Sequence, residues 1–201
     1  DNLRKAKEEE EVRKEEDKKR RWINEGLAKF ADILRKNNDN LDILSTNIIK
    51  NLVQYLKVNQ GGIFIQDDSE TNPPVFNLVS AFAYDREKYF QKRVELGEGL
   101  VGTCAREKET IYLTEIPEDY AEITSGLGGA NPKSLLLVPL KSENTVLGVM
   151  ELASFKPFEN YEIEFVELVA NSIASTLNSV QINIKTAELL ERSQQQSEEM
   201  A

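Results

Sequence analysis

From Phe158 to about Met200 the chain carries neither Gly nor Pro, and Pro157 stands directly before that stretch. An uninterrupted run of this kind reads as one helix, and at 1.5 Å per residue it reaches roughly 65 Å. The central section of the chain, about 120 residues, closes into a globule only about 35 Å across. The helix therefore has to project beyond whatever it packs on. Val166, Ala170, Ile173, Leu177, Val180, Ile184 and Ala187 recur at alternating spacings of four and three, as in the a/d seam of a heptad repeat. Beyond Ala187 the phase is lost at Leu189 and Leu190, and Gln194, Gln195 and Gln196 follow. That break resembles a stutter, which locally unwinds a coiled coil.

The other end of the chain is built similarly. Residues 1–21 hold only Leu3, Ala6 and Val12 as apolar side chains, and acids and bases nearly balance. Glu9/Arg13, Glu10/Lys14, Glu15/Lys19 and Glu16/Arg20 set an acid four residues before a base, each pair supporting an exposed helix by about 0.2–0.5 kcal/mol. After Trp22 a second seam begins: Ile23, Leu27, Phe30, Leu34, Asn37, Leu41, Leu44 and Ile48. Asn37 can be read in two ways. It is a buried polar seam residue that fixes register, or it opens an Asn37-Asn38-Asp39-Asn40 turn between two helices. In either case 41–57 reads as an amphipathic helix.

The middle of the chain reads as strands. Gly62–Gln66 and Val75–Tyr84 flank the Asp67-Asp68-Ser69-Glu70 loop and the Asn72-Pro73-Pro74 turn. A short helix follows Gly97-Glu98-Gly99, then a strand over Thr110–Ile116 and an irregular stretch from Pro117 to Lys133. Leu135–Lys141 and Val146–Phe155 form a hairpin around Ser142-Glu143-Asn144. The expectation is an α+β fold with a mainly antiparallel sheet of about five or six strands. The divisions are 1–38 for the charged helix, 39–180 for the domain and 181–201 for the C-terminal helix.

Composition narrows the function. Net charge is −10, which argues against a nucleic-acid binder that must replace counterions. No apolar run approaches the roughly 20 residues of a membrane span, and the charged first twenty residues are no signal peptide. With one cysteine no internal disulfide forms, so a reducing compartment, the cytoplasm, is expected. Histidine is absent, which removes the commonest general base and metal ligand. A start at Asp1 rather than Met is the expectation for a fragment of a longer protein.

Four blocks resemble the GAF family, over about residues 40–180. Asn59-Gln60-Gly61-Gly62-Ile63-Phe64-Ile65 resembles its first strand, and Gly97-Glu98-Gly99-Leu100-Val101-Gly102 the turn into its pocket-side helix. Ser134-Leu135-Leu136-Leu137-Val138-Pro139-Leu140 and Leu147-Gly148-Val149-Met150-Glu151-Leu152-Ala153 resemble its last two strands. The tail from Thr186 to Gln196 resembles the signalling helices that follow such domains in bacterial sensor proteins. The resemblance implies helices on one face of the sheet, a pocket on the other, and a cytoplasmic regulatory module. The parent would be a sensor histidine kinase or related receptor, with an anchor in the inner membrane as one option.

Candidate pocket residues under that resemblance are Phe82, Tyr84, Cys104, Tyr112, Tyr120, Ile123, Leu127 and Met150. The Gly126-Leu127-Gly128-Gly129 loop reads as a lid, since Lys133-Ser134 opens a strand and not the helix of a phosphate loop. Cys104 reads as packing: a bilin or a haem finds no histidine, and a reductase of this family finds no second thiol. Near Ser154-Phe155-Lys156-Pro157-Phe158-Glu159 only scraps match the Asn-Lys-Phe-Asp-Glu signature of the cyclic-nucleotide members. No cofactor, no metal and no catalytic residue is expected, and the ligand is an unidentified small molecule. A parallel homodimer would receive its signal through Ile23, Leu27, Phe30 and Leu34. It would transmit through Ile173, Leu177, Val180, Ile184 and Ala187. The alternatives are a dimeric spacer without ligand and a cyclic-nucleotide-binding regulatory domain.

Overall fold

The computed structural model describes residues 1–36, 38–69, 71–82, 92–118, 120, 123–125 and 128–200. Helix α1 (Asn2–Arg35) ends where Lys36 turns extended, and α2 (Leu41–Leu56) starts at Asn40, whose side chain accepts the Ile43 N–H at 3.1 Å. An Asn that caps a helix satisfies one of its orphan donors, so the apolar spacing from Ile23 to Ile48 is divided between two helices. The turn reading is the right one there. Asn37 itself lies outside the described residues.

The strands are β1 (Gln60–Gln66), β2 (Val75–Phe82), β3 (Arg93–Glu95), β4 (Ile111–Leu113), β5 (Ile123–Ser125), β6 (Gly128–Ala130), β7 (Ser134–Ser142) and β8 (Thr145–Ser154). Helix α3 (Gly99–Glu107) precedes β4, and α4 (Asn160–Glu199) closes the chain. Six strands make one antiparallel sheet in the order β3-β2-β1-β8-β7-β4. The small β5–β6 ribbon occupies part of the stretch that reads from the sequence as irregular. β3 has no sequence signal either. Three residues are too few to display a period of two.

Both faces of the sheet are covered. Ile63, Ile65, Leu136, Val138, Leu140, Met150 and Leu152 pack under α1, α2 and α4. Phe64, Leu135, Leu137, Val149 and Ala153 point the other way, toward Val101, Cys104 and Ala105 of α3. β7 and β8 are buried along nearly their whole length, as expected of strands with apolar layers on both sides.

α1 and α4 run parallel. Trp22 meets Tyr161 and Phe165 at ring distances of 5.2 and 4.9 Å, and Phe30 meets Phe165 at 6.0 Å. Farther along, Leu27, Phe30, Ala31 and Leu34 share a groove with Val169, Ser172 and Thr176. Gly26 allows this approach: a Cβ there would lie 2.5 Å from Phe165 Cε2 and 2.6 Å from Tyr55 Cε1. The start of α1, residues 2–21, is exposed throughout, and from it Lys19 reaches over the Tyr161 ring at 5.4 Å. Past Val180, α4 has no buried residue. Each helix thus has a free arm of roughly 20–25 Å, and the arms leave the domain at opposite ends.

This arrangement changes the reading of the seams. Phe30, Leu34, Ile173, Leu177 and Val180 are buried inside the single chain, and Ile23, Leu27 and Ile184 pack partly against the same core. Ala187 is exposed. Heptad spacing marks an apolar stripe on a helix and does not say which surface meets it.

Trp22 is the chain's one tryptophan, stacked on Tyr55 at 4.8 Å, and the Tyr55 hydroxyl donates to the Trp22 carbonyl. Tyr55→Phe removes that bond and should lower stability by about 1 kcal/mol, read from urea denaturation followed by Trp22 emission. An unchanged midpoint would mean that the hydroxyl contributes nothing to holding α1.

Candidate ligand site on the α3 face

Helix α3 is fixed at its start by a tight turn. Gly97 takes φ +88°, a region that favours glycine, and its N–H donates to the Gly102 carbonyl at 2.8 Å. The Glu98 carboxylate accepts the Glu95 N–H at 2.8 Å, which ties the turn to β3. α3 then lies over β7 and β8 and carries Cys104 into the interface.

Under this face the register aligns one row across four strands: Ala81 of β2, Gly62 of β1, Glu151 of β8 and Leu137 of β7. Gly62 and Ala81 give the row little side-chain volume. Glu151 is 1% exposed, and Tyr120 Oη donates to its Oε2 at 2.7 Å. Burial, and then the Glu151 carboxylate, push the Tyr120 hydroxyl far above the ordinary phenol range. Two residues back along β1, on the same face, Gln60 is fully buried. Lys92 holds its ammonium 5.8 Å from the ring centres of both Phe64 and Tyr120. A cleft of about 260 Å³ runs from Lys92 and Val94 past Leu100 and Val101 to Tyr120.

Cys104 is fully buried and its thiol donates to the Glu109 carbonyl at 3.3 Å. Burial pushes the thiol up to about 12, against an opposing pull from Lys141. A thiol held protonated in this way is a poor nucleophile.

The residues expected to line one pocket are divided between two faces. Cys104 and Tyr120 are on the α3 face. Met150, Phe82 and Tyr112 belong to the opposite layer, under α1, α2 and α4. Those three cannot share a pocket with Cys104, because the sheet lies between. Tyr112 serves the fold instead. Its hydroxyl accepts the Phe158 N–H at 2.9 Å and donates to the Phe158 carbonyl at 3.3 Å, tying β4 to the segment before α4. Tyr84 and Leu127 lie outside the described residues, as does the side chain of Ile123. The stretch compared with the cyclic-nucleotide signature is used by the fold: Ser154 Oγ accepts the Lys156 N–H, Phe158 is buried, and Glu159 with Glu162 forms the capping box of α4.

Gln60, Glu151 and Lys92 are not among the site residues that the sequence singles out. Glu151 does carry a visible signal, being the only charge among the ten residues of β8. Such a residue is expensive to bury without a partner. Among the described residues no cluster of His, Cys, Asp and Glu could hold a metal ion. No described helix is long and apolar enough to cross a membrane.

The family model described as GAF domain matches residues 38–178. Among solved structures, the GAF domain of a phosphoenolpyruvate-protein phosphotransferase (ptsP) from Coxiella burnetii is similar, with TM-score 0.68 and 18% identity over 80% of this chain and 95% of that one. The nlh2 GAF domain of A. aeolicus in an inactive state gives TM-score 0.62 and 18% identity over 80% and 98%. A free methionine-R-sulfoxide reductase from Neisseria meningitidis, in complex with its substrate, gives TM-score 0.63 and 15% identity over 80% and 91%. No curated protein matches the chain.

The buried thiol makes a pH prediction. In the folded state Cys104 keeps its proton up to about 12, against 9.0 ordinarily. Its contribution to stability is complete below about 9 and is lost as pH rises from there toward 12. Over that window the urea midpoint of Cys104→Ala should fall less steeply than that of the wild type. Parallel curves for the two proteins would contradict a buried, neutral thiol.

Proposed function

The chain belongs to the GAF domain family, and on that premise we propose that it is the sensory or regulatory module of a bacterial signalling protein. A small molecule bound on the α3 face biases the position of the two helical arms. The observation that carries this reading is the parallel packing of α1 and α4 on one face of the sheet, with a buried polar patch on the other. β1 and β8 supply both faces. Gly62 and Glu151 face the patch, while Ile63, Met150 and Leu152 of the same strands support α1, α2 and α4. A small shift of these strands is passed to the helices because close-packed interiors do not absorb it. The ligand acts through its differential affinity for two arrangements of the arms.

The module works as a cytoplasmic parallel homodimer joined through its arms, with an output domain in the same parent chain, as in a two-component sensor. The GAF match ends at residue 178. Beyond it, α4 presents Ile182, Leu189 and Leu190, each more than half exposed, together with the exposed Ala187. These side chains are available to form a coiled coil with a second copy. Ile173, Leu177 and Val180 support the helix from inside each protomer.

The module is read as non-catalytic. A relative on this fold is a sulfoxide reductase, but the single cysteine here is buried, and its thiol stays protonated far above neutral pH.

Ile182→Glu and Leu189→Glu should convert a dimer into a monomer in sedimentation velocity and leave the melting temperature of the domain within about 2 °C. Each side chain is largely exposed, and surface substitutions usually change stability by no more than about 0.5 kcal/mol. A dimer that survives both changes removes the arms from the mechanism. A dimer that retains no metabolite in native mass spectrometry, and responds to none in a thermal-shift screen, favours a spacer over a sensor.

A further inference from the structure

Gln60 is fully buried near the start of β1, yet neither its side-chain nitrogen nor its side-chain oxygen has a hydrogen-bond partner. An apolar side chain would fill that strand position without leaving polar atoms unmatched. A primary amide carries an acceptor and two donors in one plane. Its complement is a group with an N–H and a carbonyl side by side, in the way that glutamine pairs two-fold with a base edge.

The surroundings narrow the choice. Gln60 pairs with Ala153 across the β1–β8 ladder, and Glu151 pairs with Gly62, so Gln60 and Glu151 are diagonal neighbours on one face. Side chains in that relation are about 7–8 Å apart at the backbone and reach a common object. The Glu151 carboxylate, which accepts from Tyr120 Oη, borders that position, and a ligand carboxylate or phosphate would offer no donor to the Gln60 amide oxygen. Gly62 and Ala81 form a low floor beside it. Lys92 lies over Phe64, four residues along β1 from Gln60.

We propose that the ligand of this site is a small planar carboxamide or lactam whose amide edge pairs with Gln60 and is bordered by Glu151. This rests on the sensory reading above and adds the ligand's chemical class to it. Carboxylates and phosphates are poor ligands at that position.

The test uses the full chain, with nicotinamide as probe and nicotinate as its acidic counterpart. The Gln60 side-chain NH₂ resonances are assigned by their loss in Gln60→Met. Nicotinamide should shift those resonances and bind at least tenfold more tightly than nicotinate by calorimetry. The preference should vanish in Gln60→Met, provided that variant keeps the wild-type circular dichroism. If the variant does not fold, the wild-type comparison and a singly labelled glutamine decide the matter. Unmoved Gln60 resonances, equal affinity for the two probes, or a preference that persists in a folded Gln60→Met each overturn the proposal. A compound that binds at Tyr120 and Glu151 without moving Gln60 overturns the amide assignment and leaves the sensory reading standing. A site that accepts no small molecule overturns both.

Discussion

The contact of α1 with α4 around Phe165 decides most of what else this molecule can do. Phe165 is fully buried and touches Trp22, Phe30 and Tyr55, so three helices meet at one ring. The contact brings the two ends of a long chain together across one face of the sheet. Aromatic pairs add about 0.5–1.5 kcal/mol each beyond the area they bury, and the cluster holds several. Because the two helices are parallel, their free arms must leave in opposite directions.

The sheet separates two kinds of chemistry. On the helix-covered face the layer is nearly all aliphatic and aromatic. On the α3 face the apolar layer is interrupted by Gln60, Glu151 and the Tyr120 hydroxyl. Buried polar groups of this kind are costly when unsatisfied, and they commonly mark places where something other than packing is required. Gln60 and Glu151 stand on β1 and β8, the strands whose opposite face supports α1, α2 and α4.

Much of the fold is legible from residue types. The Gly- and Pro-free tail announces α4, and the Asn-rich segment offers a break between helices as one of two readings. The apolar runs at Leu135–Leu140 and Val146–Ala153 mark adjacent strands. The site is less legible. A run such as Leu135-Leu136-Leu137-Val138 is apolar at every position and shows no alternation, because both of its faces are buried. Nothing local then says which side Met150 takes and which side Glu151 takes. Aromatic identity alone groups Phe82, Tyr112 and Tyr120 together, although the sheet separates the first two from the third. The short β3, and the ribbon within the glycine-rich stretch, lack the length for a period to appear.

Residue order alone is enough to set the length of α4 and its projection past the domain, the helix over 41–57, and the presence of apolar strands between the helices. Those follow from helix rise, glycine and proline placement, and the spacing of apolar side chains, all of which act within a few residues. Other outcomes were left to the folded chain: that the seam from Phe30 to Leu34 meets Phe165 and Val169 of its own chain, and that Gln60 and Glu151 share a face. They depend on strand register and on which stripe meets which. Contacts between residues about a hundred or more positions apart set them, and no local preference encodes such pairings.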